Sequence, residues 1–242
     1  MSKLKRLQQQ VLPILALGLL LLLVLWTVLA PSESRLGNVI KVVYVHGALV
    51  WAGLLTFSLA GVLGAVALAV RYLVRSAGRA AVWYRGTQAA ALAALIVWIV
   101  YVISSMVVTS MAWGQLIAWN EPRVRVTALI LVAAFLLALV ARLVNHPDFT
   151  AGVNLAMGIV PWVMVQQVEA IRHPVDPIGG SESASIQLYY LLILLTVIAL
   201  AMTLVAWLWV KAERKAISLR DHSGMPLHTG GPSRSPTQEE GP

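Results

Sequence analysis

The sequence contains no cysteine and very little charge, and these two absences exclude several classes of protein. Of its 242 residues only 12% are charged, while 59% are hydrophobic; a soluble domain carries roughly 25% charged residues. Without cysteine the chain forms no disulfide, offers no thiolate to a metal and has no C-x-x-C-H motif for covalent haem attachment. The composition therefore indicates a membrane protein that is not itself a c-type cytochrome.

Acidic residues are also scarce, and their positions narrow the choice further. All ten fall in loops, tails or near the ends of apolar stretches, whereas ion-coupled transporters place carboxylates near the midplane of the membrane. The inner halves of the apolar stretches hold no histidine, so haems near both membrane faces, as a transmembrane electron carrier needs, are not expected. With no nucleophile–base pair, no metal-binding cluster and no G-x-x-x-x-G-K-[ST] loop, we expect no enzyme activity.

Six apolar stretches are each long enough to cross a bilayer, which requires about 20 residues. They predict an all-α, polytopic membrane protein with six transmembrane helices. The first stretch is longer than a signal-peptide core, so we interpret it as a retained anchor. We expect one membrane domain over residues 1–215, followed by a disordered cytoplasmic tail over 216–242 that is rich in Pro, Gly and Ser. The predicted spans are 11–30, 39–70, 87–109, 124–143, 151–170 and 186–210.

The basic residues predict how the helices are oriented. With the N-terminus in the cytoplasm, 13 of the 18 Lys and Arg residues lie on the inner side, as the positive-inside rule requires. The net charge of +8 is thus explained by membrane orientation, and we expect no nucleic-acid partner. Both termini are predicted to be cytoplasmic. The five outer basic residues are Arg35, Lys41, Arg123, Arg125 and Arg172.

Two histidines and a tryptophan-containing loop share the outer side. His46 interrupts the apolar run "VVYVHGALVWAG", and His173 lies in "IRHPVDPIGG" after the fifth span. The outer loop "TSMAWGQLIAWNEPRVRV" holds two tryptophans followed by arginines, which suit a flat ligand that carries carboxylates. Gly47 and Gly114 are expected to leave room where such a ligand approaches.

Each of these features also has a purely structural interpretation. Tryptophans near span ends anchor many membrane proteins at the interface, and a loop histidine is often simply solvated. His46 could be satisfied by a hydrogen bond to a neighbouring helix, although ionisable residues within the membrane tend to be functional. The glycines of "SLAGVLGAVALA" are expected to serve helix packing. Pro161 is expected to kink the fifth span.

Taken in order, these motifs resemble the cytochrome c assembly (CcmC/CcmF/CcsA) family of haem-handling membrane proteins. "VYVHGALVWAG" resembles the histidine-bearing segment of the CcmC type, and "WGQLIAWNEPRVRVTALIL" resembles the tryptophan-rich WWD segment of the family. "IRHPVDPI" occupies the place of the second external histidine. The resemblance covers residues 10–215, which is nearly all of the six-span region.

The resemblance implies a site for transiently bound haem b on the outer face. His46 and His173 would be the axial ligands of the haem iron. The family's role would make this a bacterial inner-membrane protein that delivers haem, on the periplasmic side, for cytochrome c maturation. It also implies a CcmE-like periplasmic haem chaperone, CcmAB-like ABC transporter subunits and a small CcmD-like membrane subunit as partners, besides membrane lipid. The residues expected to present the haem are Trp113, Gly114, Trp119, Asn120 and Arg123.

The tryptophan-rich segment departs from the family pattern, which reads close to W-G-x-W-W-x-W-D-x-R. Leu116 and Ile117 stand where two tryptophans are expected, Asn120 replaces the aspartate, and one extra residue precedes Arg123. The sequence therefore leaves an alternative open, in which the chain is a structural or accessory subunit of a membrane transport complex and holds no haem of its own.

Overall fold

The computed structural model describes residues 3–33, 36–168, 178 and 181–222, with side chains over the same ranges except 3–10 and 220–222. Over these residues the chain is all-α, as the sequence predicts. Each of the six helices is long and apolar enough to cross a membrane. The helices are α1 (Lys3–Leu29), α2 (Val39–Tyr72), α3 (Ala77–Trp113), α4 (Pro122–Val144), α5 (Pro147–Gln166) and α6 (Ala184–His222).

Most of the helices extend beyond the apolar stretches that predicted them. The largest differences are at the start of α3, ten residues earlier than expected, and at the end of α6, twelve residues later. Alanine, arginine and lysine propagate a helix as well as apolar residues do, and "AGRAAVWYRG" and "KAERKAISLR" are rich in them. Helix α5 instead lies earlier than its predicted span because Pro147 begins it at the first position, where proline is favoured. The predicted tail begins at residue 216, so α6 includes its first residues, and 223–242 lie outside the described residues.

Helix α2 is the centre of the bundle. It packs against α3, α5 and α6, while α1 lies mainly against α6 and α4 against α5. Since consecutive helices run in opposite directions, α2, α4 and α6 all begin at one end of the bundle. We call that end the histidine end, because His46 lies in its half of the molecule. The opposite end, where α2 and α6 finish and the short turns 73–76 and 145–146 lie, is called the basic end.

Small residues let α2 and α5 approach each other closely, as expected from the glycines in "SLAGVLGAVALA". A Cβ atom added to Gly61 would lie 3.0 Å from the Cα of Gly158, and one added to Gly64 would lie 2.7 Å from the carbonyl oxygen of Ala151. Larger side chains at these positions would force the helices apart. Pro161 lies inside α5 and is fully buried.

Several polar contacts join the helices in the basic half of the bundle. Asp148, at the start of α5, accepts hydrogen bonds from the hydroxyls of Tyr72 and Tyr84, which belong to α2 and α3. Arg85 and Glu213 form a bidentate ion pair between α3 and α6, with nitrogen–oxygen distances of 2.7 and 2.9 Å. The basic end is therefore fastened by contacts among four helices.

A buried hydrogen-bond chain continues this fastening into the bundle. Asn154 of α5 donates to the hydroxyl of Thr87 on α3 over 3.0 Å, and that hydroxyl donates to the carbonyl of Ala60 on α2 over 2.7 Å. All three residues are buried. Because polar groups in an apolar interior are costly unless they are paired, the chain fixes the mutual register of the three helices.

Candidate functional site

His46 lies in the first half of α2 and faces α3. It is 9% exposed, and its Nδ1 atom lies 3.0 Å from the Oγ atom of Ser104. The imidazole ring stacks against the ring of Tyr101, with centroids 4.9 Å apart and an angle of 26° between the ring planes. The hydrogen bond to a neighbouring helix that the sequence left open is thus present at one of the two ring nitrogens.

The hydroxyl of Ser104 determines which nitrogen of His46 carries the proton. It donates its only hydrogen to the backbone carbonyl of Tyr101, 2.7 Å away, so toward His46 it can act only as an acceptor. When Ser104 makes both contacts, Nδ1 is the donor to Ser104, and in the neutral ring the lone pair is on Nε2. Metal-binding histidines are commonly oriented in this way, with one N–H held by the protein and the other nitrogen used as the ligand.

A small aromatic and hydroxyl cluster supports His46 from α3 and α4. The Tyr101 hydroxyl lies 3.1 Å from the hydroxyl of Thr127, and Trp98 donates from Nε1 to the Thr127 carbonyl over 3.1 Å. Trp98 and Tyr101 also contact each other edge to face, with centroids 4.9 Å apart. The imidazole therefore rests on a rigid wall that joins three helices, which favours a fixed rather than a mobile position for His46.

The start of α4 places a carboxylate and a guanidinium beside this cluster. Glu121 immediately precedes α4 and is fully buried. Arg123 is in the first turn and lies within electrostatic range of the Tyr101 hydroxyl. The Nε atom of Arg123 is buried and has no hydrogen-bond partner among the described residues. A buried N–H of this kind is costly unless it is paired, so it is suited to a hydrogen bond with an anionic group.

The tryptophan-containing loop covers the end of α3. Trp113 is the last residue of the helix and is half-buried, whereas Trp119 is 58% exposed and Asn120 is also exposed. The Thr109 hydroxyl donates to the carbonyl of Leu116 over 2.9 Å, which folds the loop back along α3. Trp119 thus presents its ring at the surface of the histidine end, where a flat ligand or the membrane interface can meet it.

The two glycines of the predicted site have structural reasons of their own. Gly114 ends α3 in the left-handed conformation, with a φ angle of +66°, and the amides of residues 114 and 115 bond back to the carbonyls of Ser110 and Thr109. This is a glycine helix cap. A Cβ atom at Gly47 would lie 3.3 Å from the Tyr190 hydroxyl. The expectation that Gly47 leaves room for a ligand is wrong, because the ring of Tyr190 takes up that space.

The structure brings some of the expected residues together and separates others. His46 contacts α3 at the level of Ser104, which is nine residues, or about 14 Å along the helix, from Trp113. Arg123 lies close to the level of His46 along the bundle. Tyr101 stacks on His46 and contacts Thr127 of α4, and Arg123 lies within electrostatic range of the same tyrosine. Trp113 and Trp119 belong to an outer layer above them. His173, the second expected ligand, lies outside the described residues.

Sequence reasoning missed Tyr101, Ser104 and Thr127, and it gave no role to Glu121. A signal for the first two is present: "YVISS" places polar side chains three residues apart, on one face of an otherwise apolar helix. Glu121 is followed by a proline, the usual first residue of a helix, which marks it as a helix-capping position. The burial of this carboxylate depends on how the loop before α4 folds, and no nearby sequence feature predicts it.

The fold defines the chain as an all-α, multi-pass membrane protein with an imidazole and a partly buried guanidinium in the same half of the bundle. No protein-family model matches the chain, and no curated protein matches it either. The function must therefore be argued from the chemistry of the site itself.

Proposed function

We propose that the chain binds haem at the histidine end and delivers it for the maturation of c-type cytochromes. The single observation that carries the proposal is the 3.0 Å contact of His46 Nδ1 with the Ser104 hydroxyl, which directs Nε2 to the role of ligand. Neutral imidazole with this arrangement is the usual protein ligand of haem iron. The resemblance of the histidine and tryptophan segments to the haem-handling family points to the same cofactor.

Arg123 supports the proposal because it offers what a haem propionate requires. Its buried Nε–H lacks a partner among the described residues, and guanidinium groups pair with carboxylates through charge-assisted hydrogen bonds. In the proposed site Arg123 holds one propionate. The Arg125 side chain, which is exposed two residues further along α4, is positioned to screen the other.

The tryptophan loop would complete the outer part of the site. The exposed ring of Trp119 is available to pack against a porphyrin face, and Asn120 beside it can hydrogen-bond at the rim. Trp113 and the cap at Gly114 hold the base of the loop. The leucine and isoleucine at positions 116 and 117 still provide apolar surface, although they cannot stack as tryptophans would.

Delivery requires ligation that can be reversed. When bound, haem would supply an iron atom, and ligation of that iron by His46 and a second imidazole would shield it from peroxide chemistry. His46 is on a rigid helix and would remain in place. His173, proposed as the second ligand, follows the fifth helix in the sequence, and release of this single ligand would begin the transfer.

The proposed setting is the bacterial inner membrane, with the histidine end on the periplasmic side. This orientation follows from the concentration of Lys and Arg toward the opposite end. A CcmE-like chaperone would receive the haem there. CcmAB-like subunits would supply ATP hydrolysis, for which the chain has no phosphate-binding loop, and a CcmD-like subunit would complete the complex.

The proposal is tested by absorption spectra of the detergent-purified protein, oxidised and then reduced with dithionite, from haem-supplied cells. We expect the sharp reduced bands of low-spin bis-histidine haem in the wild type. In His46→Ala and in His173→Ala these bands should diminish or shift to a high-spin form. His222→Ala is the matched control, because it removes a histidine from the far end of α6.

Two results would contradict the proposal. If the wild type carries haem and neither substitution changes its spectrum, His46 and His173 are not the ligands. If the wild type remains colourless even when the partner subunits are co-expressed, the chain is better explained as an accessory subunit without haem.

A further inference from the structure

A large cavity lies in the basic half of the described bundle, far from the site proposed above. It has a volume of about 710 Å³ and is enclosed mainly by α3, α4 and α5, with α2 at its base. Ligand-binding pockets in proteins commonly measure about 300–1,000 Å³. The proposed haem site uses none of its residues, so the cavity needs an explanation of its own.

The lining changes character from one end of the cavity to the other. Its deep part is mainly apolar and includes Phe57, Leu95 and Met157, besides Asn154, whose amide is bonded to Thr87. Its mouth carries two cationic side chains, Arg142 at the end of α4 and Lys215 on α6, together with the imidazole of His146. Arg142 and Lys215 are both exposed. An occupant that satisfies both parts must have an anionic head and an apolar body.

The depth of the cavity matches one leaflet of a membrane. Along α5 the lining extends from Pro147 to Met157, which is about 15 Å at the helical rise of 1.5 Å per residue. The hydrocarbon core of a bilayer is about 30 Å thick, so each leaflet contributes about half of that. The cationic mouth is at the end of the helices, where headgroups lie. Leu92, which also lines the cavity, is 48% exposed, so the wall is open toward the surrounding hydrocarbon.

We propose that this cavity binds an anionic phospholipid of the leaflet at the basic end, with its phosphate between Arg142 and Lys215 and an acyl chain against Leu95 and Met157. The charge at the mouth distinguishes this occupant from a partner helix, which would need an apolar surface along its whole length. The proposal does not depend on haem binding and gives the basic end a ligand of its own.

The test uses the full-length protein in detergent and measures lipid binding by native mass spectrometry. Phosphatidylglycerol is the anionic probe, phosphatidylcholine is the zwitterionic probe of similar size, and inorganic phosphate is the competitor. We expect phosphatidylglycerol to bind more tightly than phosphatidylcholine. In Arg142→Gln/Lys215→Gln its binding should weaken roughly 10-fold or more, since each basic residue near a headgroup contributes measurably to the attraction.

Two further variants separate a defined site from general attraction. Arg79→Gln/Lys211→Gln removes one arginine and one lysine from exposed positions in the same half of the bundle but outside the cavity, and should bind phosphatidylglycerol as the wild type does. Ala138→Trp keeps every charge and fills the cavity from α4, and should lose binding as the first double variant does.

Four results would overturn the proposal, and the first three concern lipid binding alone. These are equal binding of the two lipids, equal weakening in both double variants, and unchanged binding in Ala138→Trp. Competition by millimolar inorganic phosphate that removes the lipid would also contradict it, because the site would then recognise a soluble phosphate without need of the acyl chain.

Discussion

The two ends of the bundle differ in how their charged side chains are paired. At the basic end, charged and polar side chains find partners on other helices: Asp148 joins α2, α3 and α5, and Arg85 pairs with Glu213. At the histidine end, Arg123 has a buried N–H that lacks a partner among the described residues, and Trp119 is mostly exposed. The basic end joins its carboxylates to groups on other helices, and the histidine end leaves the buried Nε–H of Arg123 to a proposed ligand.

The contacts that stabilise the bundle therefore lie mainly away from the proposed site at the histidine end. Close packing through Gly61 and Gly64 and the buried chain from Asn154 to Ala60 hold the bundle together from the middle to the basic end. The histidine end can then carry costly groups without unfolding. Buried polar groups at functional sites are tolerated where the rest of the structure provides the stability.

The strongest test of this division is overpacking in the rigid half. In Gly64→Ala the new Cβ would lie 2.7 Å from the backbone carbonyl of Ala151, so α2 and α5 must move apart. We expect a loss of up to about 3 kcal/mol in the free energy of unfolding, typical of an overfilled core. It is measured as a lower thermal midpoint in detergent. Gly152→Ala, where the structure is open, should leave the midpoint unchanged or raise it; equal loss in both would contradict the account.

Removal of the shared carboxylate should have the next largest effect. Asp148→Ala leaves the hydroxyl of Tyr84, which is only 8% exposed, without its acceptor. A buried polar group left without a partner costs about 2 kcal/mol, and thermal unfolding would show it. When Tyr84→Phe is added to Asp148→Ala, part of the lost stability should return, because the substitution removes the hydroxyl that has no acceptor. Glu182→Ala is the control at an exposed carboxylate; if it destabilises the protein as much, the contacts of Asp148 do not matter.

At the histidine end, substitution of the residue that hydrogen-bonds His46 should weaken haem binding and leave the stability of the fold unchanged. Ser104→Ala removes the acceptor that orients the His46 ring. Loss of such a supporting contact weakens metal ligation about 10-fold or more, which a haem titration followed at the Soret band would measure. Ser105→Ala, the adjacent serine, is the matched control. Haem affinity that is the same in both variants would show that the hydrogen bond does not position the ligand.

The smallest expected effect concerns the proposed propionate contact. Arg123→Gln removes the charge and keeps an N–H donor on a shorter side chain. Since partly exposed ion pairs contribute about 1 kcal/mol or less, haem affinity should fall several-fold while the low-spin spectrum stays the same. Arg125→Gln should have a smaller effect, because that side chain is exposed. A spectrum that changes in Arg123→Gln would instead place this residue close to the iron.

The sequence predicts the fold well because each membrane span is a long, uninterrupted apolar stretch. Twenty apolar residues in a row leave the backbone no alternative to a helix in a membrane, and the predicted order of six helices is confirmed. Helix ends were less predictable. The spans followed hydrophobicity alone, whereas α3 and α6 continue through polar residues with high helix propensity.

The site was only partly predictable, for a geometric reason. His46 is a candidate on sequence grounds because a histidine in an apolar run is unusual. Its supporting residues, Ser104 and Thr127, are 58 and 81 positions away in the sequence, and small hydroxyl residues occur in many membrane helices without any role. Gly47 was misjudged because Tyr190, which fills its space, belongs to a helix more than a hundred residues away.

The most direct test of the central claim is chemical rescue at His46. His46→Gly removes the imidazole and leaves a gap that free imidazole can enter. The account predicts that the purified variant loses the low-spin haem spectrum and regains it when imidazole is added, while haem-free wild-type and variant proteins unfold at similar temperatures. If the variant retains the wild-type spectrum without added imidazole, His46 does not ligate the iron, and the histidine end is not the haem site proposed here.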